Sequence, residues 1–168
     1  MIRVRPTRGT DIGRLEAVER SAATLFRTLP DLAWIADDHV AGPDTHRIAV
    51  AQGLSWVAVD AADQPISFLI AAETDADLHI LELSVSAEHQ GCGAGRALMA
   101  AARQEAEVRA KRALTLTTFH AVPWNAPFYA RLGYAALTFA ETPAYLRETL
   151  AAEAANGLTD RVAMRLTL

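Results

Sequence analysis

Three glycines within five positions interrupt the chain between a strand-like run and a helix-like run. The segment Gln90–Arg96 reads Gln-Gly-Cys-Gly-Ala-Gly-Arg, follows the apolar run Leu78–Val85 and precedes the alanine-rich run Ala97–Ala110. Glycine lets the backbone turn with positive φ and lie close to another molecule without a Cβ in the way. The N-terminus of the helix that follows adds unpaired N–H groups and the positive end of its dipole. The segment therefore predicts a loop that holds phosphate groups.

The spacing of the glycines excludes two familiar nucleotide-binding loops. In a Walker A loop that begins at Gly91, the second glycine would fall at Arg96, and no Lys-Ser/Thr pair follows. The dinucleotide motif Gly-x-Gly-x-x-Gly would need glycine at Arg96 or at Leu98, depending on where it begins. That motif also needs an acidic residue about 20 positions later, where this chain is basic. Neither an ATP loop nor an NAD loop is supported.

The pattern that fits is Gln-x-x-Gly-x-Gly, formed by Gln90, Gly93 and Gly95. With the strand-like residues before it, this stretch resembles the pyrophosphate loop of the GNAT superfamily, the acetyl-CoA-dependent N-acetyltransferases. A second segment, Phe128–Tyr134 (Phe-Tyr-Ala-Arg-Leu-Gly-Tyr), is similar to that family's Tyr-x-x-x-Gly-Phe/Tyr segment. The two motifs occur in the family's order. The alternative is a glycine loop that only turns a strand into a helix.

The resemblance implies an α/β fold, with residues 1–168 as a single GNAT domain. In that family a central mixed sheet of six to seven mostly antiparallel strands is flanked by helices. Two central parallel strands splay apart at their ends, and the pantetheine arm of the cofactor lies in the gap.

The hydropathy pattern predicts elements in the same order. Alternating or continuous apolar runs predict strands at 2–5, 55–60, 65–73, 78–85, 113–119, 134–139 and 161–167. Helical spacing and capping residues predict helices at about 12–26, 43–52, 97–110, 126–132 and 145–155. Residues 28–43 are expected to be irregular, and Leu98, Ala101 and Val108 of the long helix are expected to face the sheet.

Composition limits the class of protein. The 168 residues, 51 % of them hydrophobic, suffice for one buried core and argue against disorder. The charged start Met1–Pro6 lacks the apolar region of a signal peptide, and no apolar run reaches the ~20 residues of a membrane helix. The single cysteine, Cys92, excludes an internal disulfide, so a cytoplasmic location is expected. A net charge of −4 argues against a nucleic-acid partner. No metal or membrane partner is expected, and a homodimer is left open.

By resemblance, the loop amides would hold the CoA pyrophosphate while Arg96 adds positive charge, and acetyl-CoA would be the cosubstrate. Many relatives have an asparagine seven positions before the motif tyrosine, whereas Asn125 lies four before Tyr129. Asn125 is therefore either a CoA contact or a helix N-cap. The residues assigned to the cofactor are Leu83, Ser84, Val85, Gln90, Gly91, Cys92, Gly93, Ala94, Gly95, Arg96 and Asn125.

Three residues are candidates for proton transfer. Tyr129 matches the tyrosine that relatives place near the CoA sulfur, so the resemblance implies a general acid; the alternative is a core aromatic. His79 lies six residues before Val85, where several relatives carry the base, and an ordinary imidazole pKa of ~6.5 suits that task. Glu82 competes, because a carboxylate among apolar strand residues needs a partner or a purpose. Both could instead be half-exposed polar residues, and His120 is a weaker third option.

The implied activity is acetyl transfer from acetyl-CoA to a primary amine of a small molecule, by direct attack in a ternary complex. Acceptance by a protein N-terminus or a lysine, or a non-catalytic acyl-CoA-binding sensor, stays open. Specificity is expected from the first two helices and the segment between them. There Trp34, Ile35, Asp37, Asp38 and His39 form either an aromatic and acidic lip or a plain surface loop.

Overall fold

The computed structural model describes residues 2–168 and contains the predicted elements in the predicted order. The strands are β1 Arg3–Pro6, β2 Ser55–Val59, β3 Pro65–Glu73, β4 Asp77–Val85, β5 Ala113–Phe119, β6 Ala135–Ala136 and β7 Arg161–Thr167. The α-helices are α1 Ile12–Ala23, α2 Pro43–Ala51, α3 Ala94–Val108, α4 Ala126–Arg131 and α5 Ala144–Ala155. None of the helices in residues 2–168 combines the length and the apolar character that crossing a membrane requires.

The seven strands form one mixed sheet in the order β1-β2-β3-β4-β5-β7-β6, which confirms the predicted α/β fold. β1 with β2, β2 with β3, β5 with β7, and β6 with β7 pair antiparallel. β4 and β5 run parallel, and α3 lies between them in the chain because a parallel connection needs a crossover. Their register joins Asp77–His79 to Ala113–Thr115, and both strands continue beyond it.

The chain divides into two compact units. The first comprises the chain up to Ala72 together with Leu81–Glu105, and the second comprises Glu73–Ile80 together with Ala106–Leu168. In the first unit, α1 and α2 bury apolar side chains against β2 and β3; the cluster contains Leu15, Val18, Ala49, Val57, Val59, Phe68 and Ile70. In the second unit, the buried side chains of β5, α5 and β7 include Leu114, Leu116, Leu146, Ala163 and Met164.

α3 begins at Ala94, three residues before the predicted start. Leu98, Ala102 and Ala106 recur every four residues and are fully buried, so they define the face that packs inward. Val108 is 80 % exposed, and the expectation that it faces the sheet is wrong. It lies two residues beyond Ala106 and therefore points away from the packed face.

His46 of α2 is a titratable group inside the apolar core of the first unit. It is 1 % exposed and packs edge-on against Phe68, with ring centroids 5.0 Å apart and an interplanar angle of 78°. Within residues 2–168 neither ring nitrogen has a hydrogen-bond partner. Burial lowers the pKa of His46 below its ordinary value, because the charged ring loses its hydration.

Acid is therefore expected to destabilise the fold through His46. Below about pH 6.5 the unfolded chain protonates this residue while the native state does not, so stability falls with pH until the folded-state pKa is reached. Thermal unfolding of the wild type and of His46→Leu between about pH 8 and pH 5 measures this. The variant should lose part of the acid sensitivity, because the buried His79 still contributes in the same direction. His39→Leu, at an exposed histidine, should keep all of it. An unchanged acid slope in His46→Leu would contradict the assignment.

Candidate active site

Two glycines with left-handed backbone build the loop between β4 and α3. Gly91 has φ +76° and Gly93 has φ +89°, and no atom lies within 4 Å of where a Cβ would stand at either position. The N–H of Ala97 donates to the carbonyl of Gly93 at 3.0 Å, which is the first hydrogen bond of α3. The amides of residues 94–96 come before it at the N-terminus of the helix and have no acceptor within the helix. Gly95 lies inside the helix and does not contribute to the turn. A cluster of outward N–H groups results.

The side chain of Gln90 ties this loop to the end of β4. Its Nε2 donates to the carbonyl of Val85 at 2.6 Å. The carbonyl of Ser84 accepts from Ser67 Oγ on β3 at 2.8 Å. Because backbone groups alternate along a strand, those of Leu83 and Val85 point to the side away from β3. Gln90 thus holds the strand end, and the carbonyl of Val85 is already occupied.

In the same segment the side chains of Cys92 and Arg96 face solvent, whereas Ala94 is buried. The thiol of Cys92 is free and exposed, and Arg96 is exposed in the first turn of α3. A guanidinium in that position adds mobile positive charge beside the fixed backbone amides.

Glu82 interacts with a second carboxylate that the sequence pattern did not single out. Glu82 Oε1 accepts from Ser84 Oγ at 2.8 Å, and Glu19 Oε2 on α1 accepts from the N–H of Ala41 at 2.9 Å. Burial, and then the negative charge of Glu82, raise the pKa of Glu19 to about 7. The available signal was helical spacing: Glu19 follows the buried Leu15 by four residues and so lies on the inward side of α1.

His79 is buried where β4 and β5 pair, with 8 % of its surface exposed. Its Nδ1 lies 3.0 Å from Oγ1 of Thr115, its register partner, and its ring packs edge-on against Tyr145 with centroids 5.8 Å apart. Burial lowers the pKa of His79 below its ordinary value, although the charges of Glu153 and Asp77 oppose this. His79 is therefore neutral near pH 7 and can accept a proton.

α4 carries Tyr129 and begins after Asn125. Asn125 occupies the N-cap, where its carbonyl accepts from the N–H groups of Phe128 and Tyr129 at 2.8 and 3.2 Å, but its side chain makes no capping bond. Tyr129 is 8 % exposed and packs edge-on against Phe128 and Tyr134, with centroids 5.1 and 6.0 Å away. These contacts hold the phenol ring in one orientation. His120, just after β5, is exposed.

The segment before α2 is more regular than expected, because Pro30–Asp37 forms a 3₁₀ helix. Trp34 is 41 % exposed, and Asp37 forms an ion pair with Arg27 at 3.2 Å. Hydrogen bonds from the backbone and ring of His39 hold the pKa of Asp38 below its ordinary value. Both acids are therefore already engaged on this surface.

A family model described as the acetyltransferase (GNAT) domain matches residues 51–136. The chain belongs to the GNAT acetyltransferase family. The matched segment runs from the last residue of α2 to the end of β6 and includes the glycine loop and α4. This GNAT membership confirms the resemblance carried by the motifs at Gln90–Arg96 and Phe128–Tyr134.

Solved GNAT structures share the fold over the full chain. The PaiA N-acetyltransferase of Thermoplasma acidophilum, in complex with coenzyme A, has a TM-score of 0.72 at 14 % identity, with 100 % of this chain and 99 % of that one covered. N-acetylglutamate synthase of Neisseria gonorrhoeae, with coenzyme A and N-acetyl-glutamate, has a TM-score of 0.73 at 15 % identity, and the match covers 100 % of this chain and 35 % of that one. The ribosomal-protein-S18-alanine N-acetyltransferase of Escherichia coli has a TM-score of 0.69 at 18 % identity, and the match covers 99 % of this chain and 94 % of that one. At these identities the likeness establishes the fold.

Alanine substitutions at Gly93 in the loop and at Gly95 in α3 should have opposite effects on stability. Gly93→Ala puts a Cβ on a backbone with φ +89°, a conformation about 1–2 kcal/mol less favourable for such a residue. Gly95→Ala lies in α3, where alanine is favoured over glycine by roughly 0.5–1 kcal/mol. Free energies of unfolding in urea measure both effects. Equal stabilities of the two variants would contradict this loop geometry.

Proposed function

We propose that this GNAT protein transfers the acetyl group of acetyl-CoA to a primary amine of a small molecule, by direct attack in a ternary complex. The observation that carries the proposal is the β4–loop–α3 unit, with Gly91 and Gly93 at positive φ and free amides at the start of α3. Fixed N–H groups at a helix N-terminus suit a pyrophosphate. The coenzyme A in the PaiA and N-acetylglutamate synthase structures supports the same ligand.

In this proposal the end of β4 holds the pantetheine arm. The N–H and carbonyl of Leu83 and the N–H of Val85 point away from β3 and would pair with it as with an added strand, while the carbonyl of Val85 accepts from Gln90. One N–H there would face the thioester oxygen and stabilise the oxyanion. Arg96 would neutralise pyrophosphate charge, and Gln90 would act indirectly by fixing Val85. The side chain of Asn125, which makes no capping bond, is available for a CoA contact.

The reaction needs a neutral amine and a proton for the leaving sulfur. The amine nitrogen bonds to the thioester carbonyl carbon, the C–S bond breaks, and the amide forms as the amine loses a proton. We assign proton donation to the CoA thiolate to Tyr129, whose ring is held by its aromatic neighbours.

We assign attraction of the ammonium ion to Glu82 with Glu19, and to His79 the acceptance of the proton whose loss leaves the neutral amine. The second amine proton, lost as the amide forms, replaces the proton that Tyr129 gives to the thiolate. His79 is favoured as the base because it is buried and its lowered pKa keeps it neutral near pH 7. Two nearby carboxylates, one with its pKa raised to about 7, favour a cationic partner that relieves their repulsion. A cationic small amine fits that charge pattern.

The first test is binding and turnover. Calorimetry should show CoA binding, and thiol release should occur with acetyl-CoA and a member of an amine panel. Turnover only with peptides would shift the acceptor to a protein N-terminus or a lysine. CoA binding without turnover on any amine or peptide would indicate a sensor and reject the enzyme.

Loss of the Tyr129 hydroxyl should slow the chemical step. Tyr129→Phe is expected to lower kcat roughly 10²-fold, as loss of a general acid does, with little change in KM for acetyl-CoA. Tyr134→Phe, which removes the hydroxyl of the neighbouring tyrosine, is the matched control and should retain kcat. Wild-type kcat in Tyr129→Phe would remove the proposed acid.

The base is identified by the pH dependence of kcat, which reports groups in the bound complex. Because the pKa of His79 lies below its ordinary value, activity should be full near pH 7 and decline only at a pH lower than the one at which an ordinary imidazole protonates. His79→Gln should remove this decline and lower kcat about 10²-fold or more. Glu82→Gln should mainly raise KM for the amine. If Glu82→Gln removed the acid decline of kcat and His79→Gln only raised KM for the amine, Glu82 would be the base. His120→Gln serves as the control.

A further inference from the structure

Four polar side chains of the second compact unit form a continuous series of hydrogen bonds. The hydroxyl of Tyr145 lies 2.9 Å from Asp77 Oδ2 and 2.8 Å from Thr115 Oγ1, which lies 3.0 Å from Nδ1 of His79. Asp77 and His79 share one face of β4, and Thr115 is the register partner of His79 on β5. Tyr145 reaches this face from α5. The strand residues of the series are at most 8 % exposed.

The number of protons on each group determines which one donates and which one accepts along the series. The carboxylate of Asp77 can only accept, so the single proton of Tyr145 is donated to it. Thr115 must then donate its proton to the oxygen of Tyr145. With its proton used, Thr115 can only accept from the ring of His79, which therefore carries its proton on Nδ1. A neutral imidazole carries one ring proton, so the other ring nitrogen, Nε2, keeps its lone pair. A hydrogen bond to the backbone of Thr115 also raises the pKa of His79, against the larger effect of burial.

We propose that Asp77, Tyr145 and Thr115 are positioning residues that fix the tautomer of His79, so that Nε2 is the atom that accepts the amine proton. The proposal rests on the proposed function, in which His79 is the base. The hydrogen bond at one imidazole nitrogen determines which nitrogen is available at the other side of the ring. Here that hydrogen bond traces back, through two hydroxyl groups, to a carboxylate.

The neighbouring charges and the burial of Tyr145 favour the same arrangement of donors and acceptors. Burial, together with the bond to Asp77, raises the pKa of Tyr145 to about 12, so the phenol keeps the proton that it donates. When His79 becomes charged, the carboxylates of Asp77 and Glu153 both favour the imidazolium. Glu153 is held by Arg161 of β7 at 2.8 Å.

The carboxylate end of the series meets a surface cavity of about 530 Å³ whose lining includes Asp77, Tyr145 and Arg165. Arg165 faces Tyr145 and weakly favours the ionised phenol, against the larger effect of burial.

The direct test is the tautomer itself, read from the ¹⁵N shifts and ring couplings of the five histidines, with His79 assigned by its loss in His79→Gln. Wild-type His79 should be protonated on Nδ1 and unprotonated on Nε2. Tyr145→Phe keeps the ring contact but removes the hydroxyl, and Thr115→Val removes the other hydroxyl. Both should move His79 toward the Nε2–H tautomer. A wild-type ring protonated on Nε2, or variants with an unchanged tautomer, would overturn the proposal.

Kinetics separate this inference from the proposed function. Tyr145→Phe should lower kcat about 10-fold, less than loss of the base itself, and leave KM for acetyl-CoA unchanged. The acid decline of kcat should move to lower pH, because the imidazolium loses its link to Asp77. Thr149→Val is the matched control: it removes a hydroxyl of α5 that bonds only to the backbone carbonyl of Tyr145, at 2.8 Å.

The activities of His79→Gln and Tyr145→Phe distinguish failure of the proposed function from failure of this inference. Full activity of His79→Gln would reject His79 as the base and with it the kinetic part of the inference, while the tautomer would still report on the hydrogen-bond series. An inactive His79→Gln combined with wild-type kcat and pH profile in Tyr145→Phe would keep the base and reject the positioning residues.

Discussion

The short parallel pairing of β4 with β5 is the constraint on which the rest of the molecule depends. Parallel strands cannot be joined by a tight hairpin, so the chain must leave the end of β4 through a helix. That requirement puts a turn and a helix N-terminus directly after Val85, and two left-handed glycines make the turn. The same pairing aligns His79 with Thr115 and brings Asp77 onto their face. The loop and the hydrogen-bond series therefore follow from one topological choice.

Burial shifts the pKa values of Glu19, His46 and His79 toward the neutral forms of these groups. Desolvation raises the pKa of Glu19 to about 7, helped by the charge of Glu82, and it lowers the pKa of His79. The same effect at His46 has no partner to offset it and acts as a stability liability. Two buried histidines thus differ in their effect, because His79 has hydrogen-bond partners and His46 has none within the described residues.

The sequence predicted the elements well because their signals are local. β3, β5 and β7 begin and end where their apolar runs do, and α4 begins at Ala126 as expected. α3 begins earlier than the sequence predicts, because Gly95, although a weak helix former, belongs to the helix and not to the loop. Val108 faces solvent because it stands two residues after the buried Ala106, a spacing that turns a helical side chain to the opposite side.

What the sequence could not predict are contacts between distant segments. Tyr145 was visible only as the start of a helix, and its position over Thr115 depends on how α5 packs on the sheet. Helical spacing places Glu19 on the inward side of α1, but its interaction with Glu82, 63 positions away in the chain, depends on the fold. The roles of Tyr129, His79 and Glu82 remain predictions that the variants above address.

The hydrogen bond from Gln90 to Val85 has a consequence for the entropy of binding. It closes a small ring of chain between the strand end and the loop, so the loop inherits its orientation from the sheet. A segment that is ordered before a ligand arrives loses little conformational freedom when the ligand binds, and more of the contact energy then appears as affinity. The amide cluster at the start of α3 is thus preorganised by one side chain that need not touch the ligand itself.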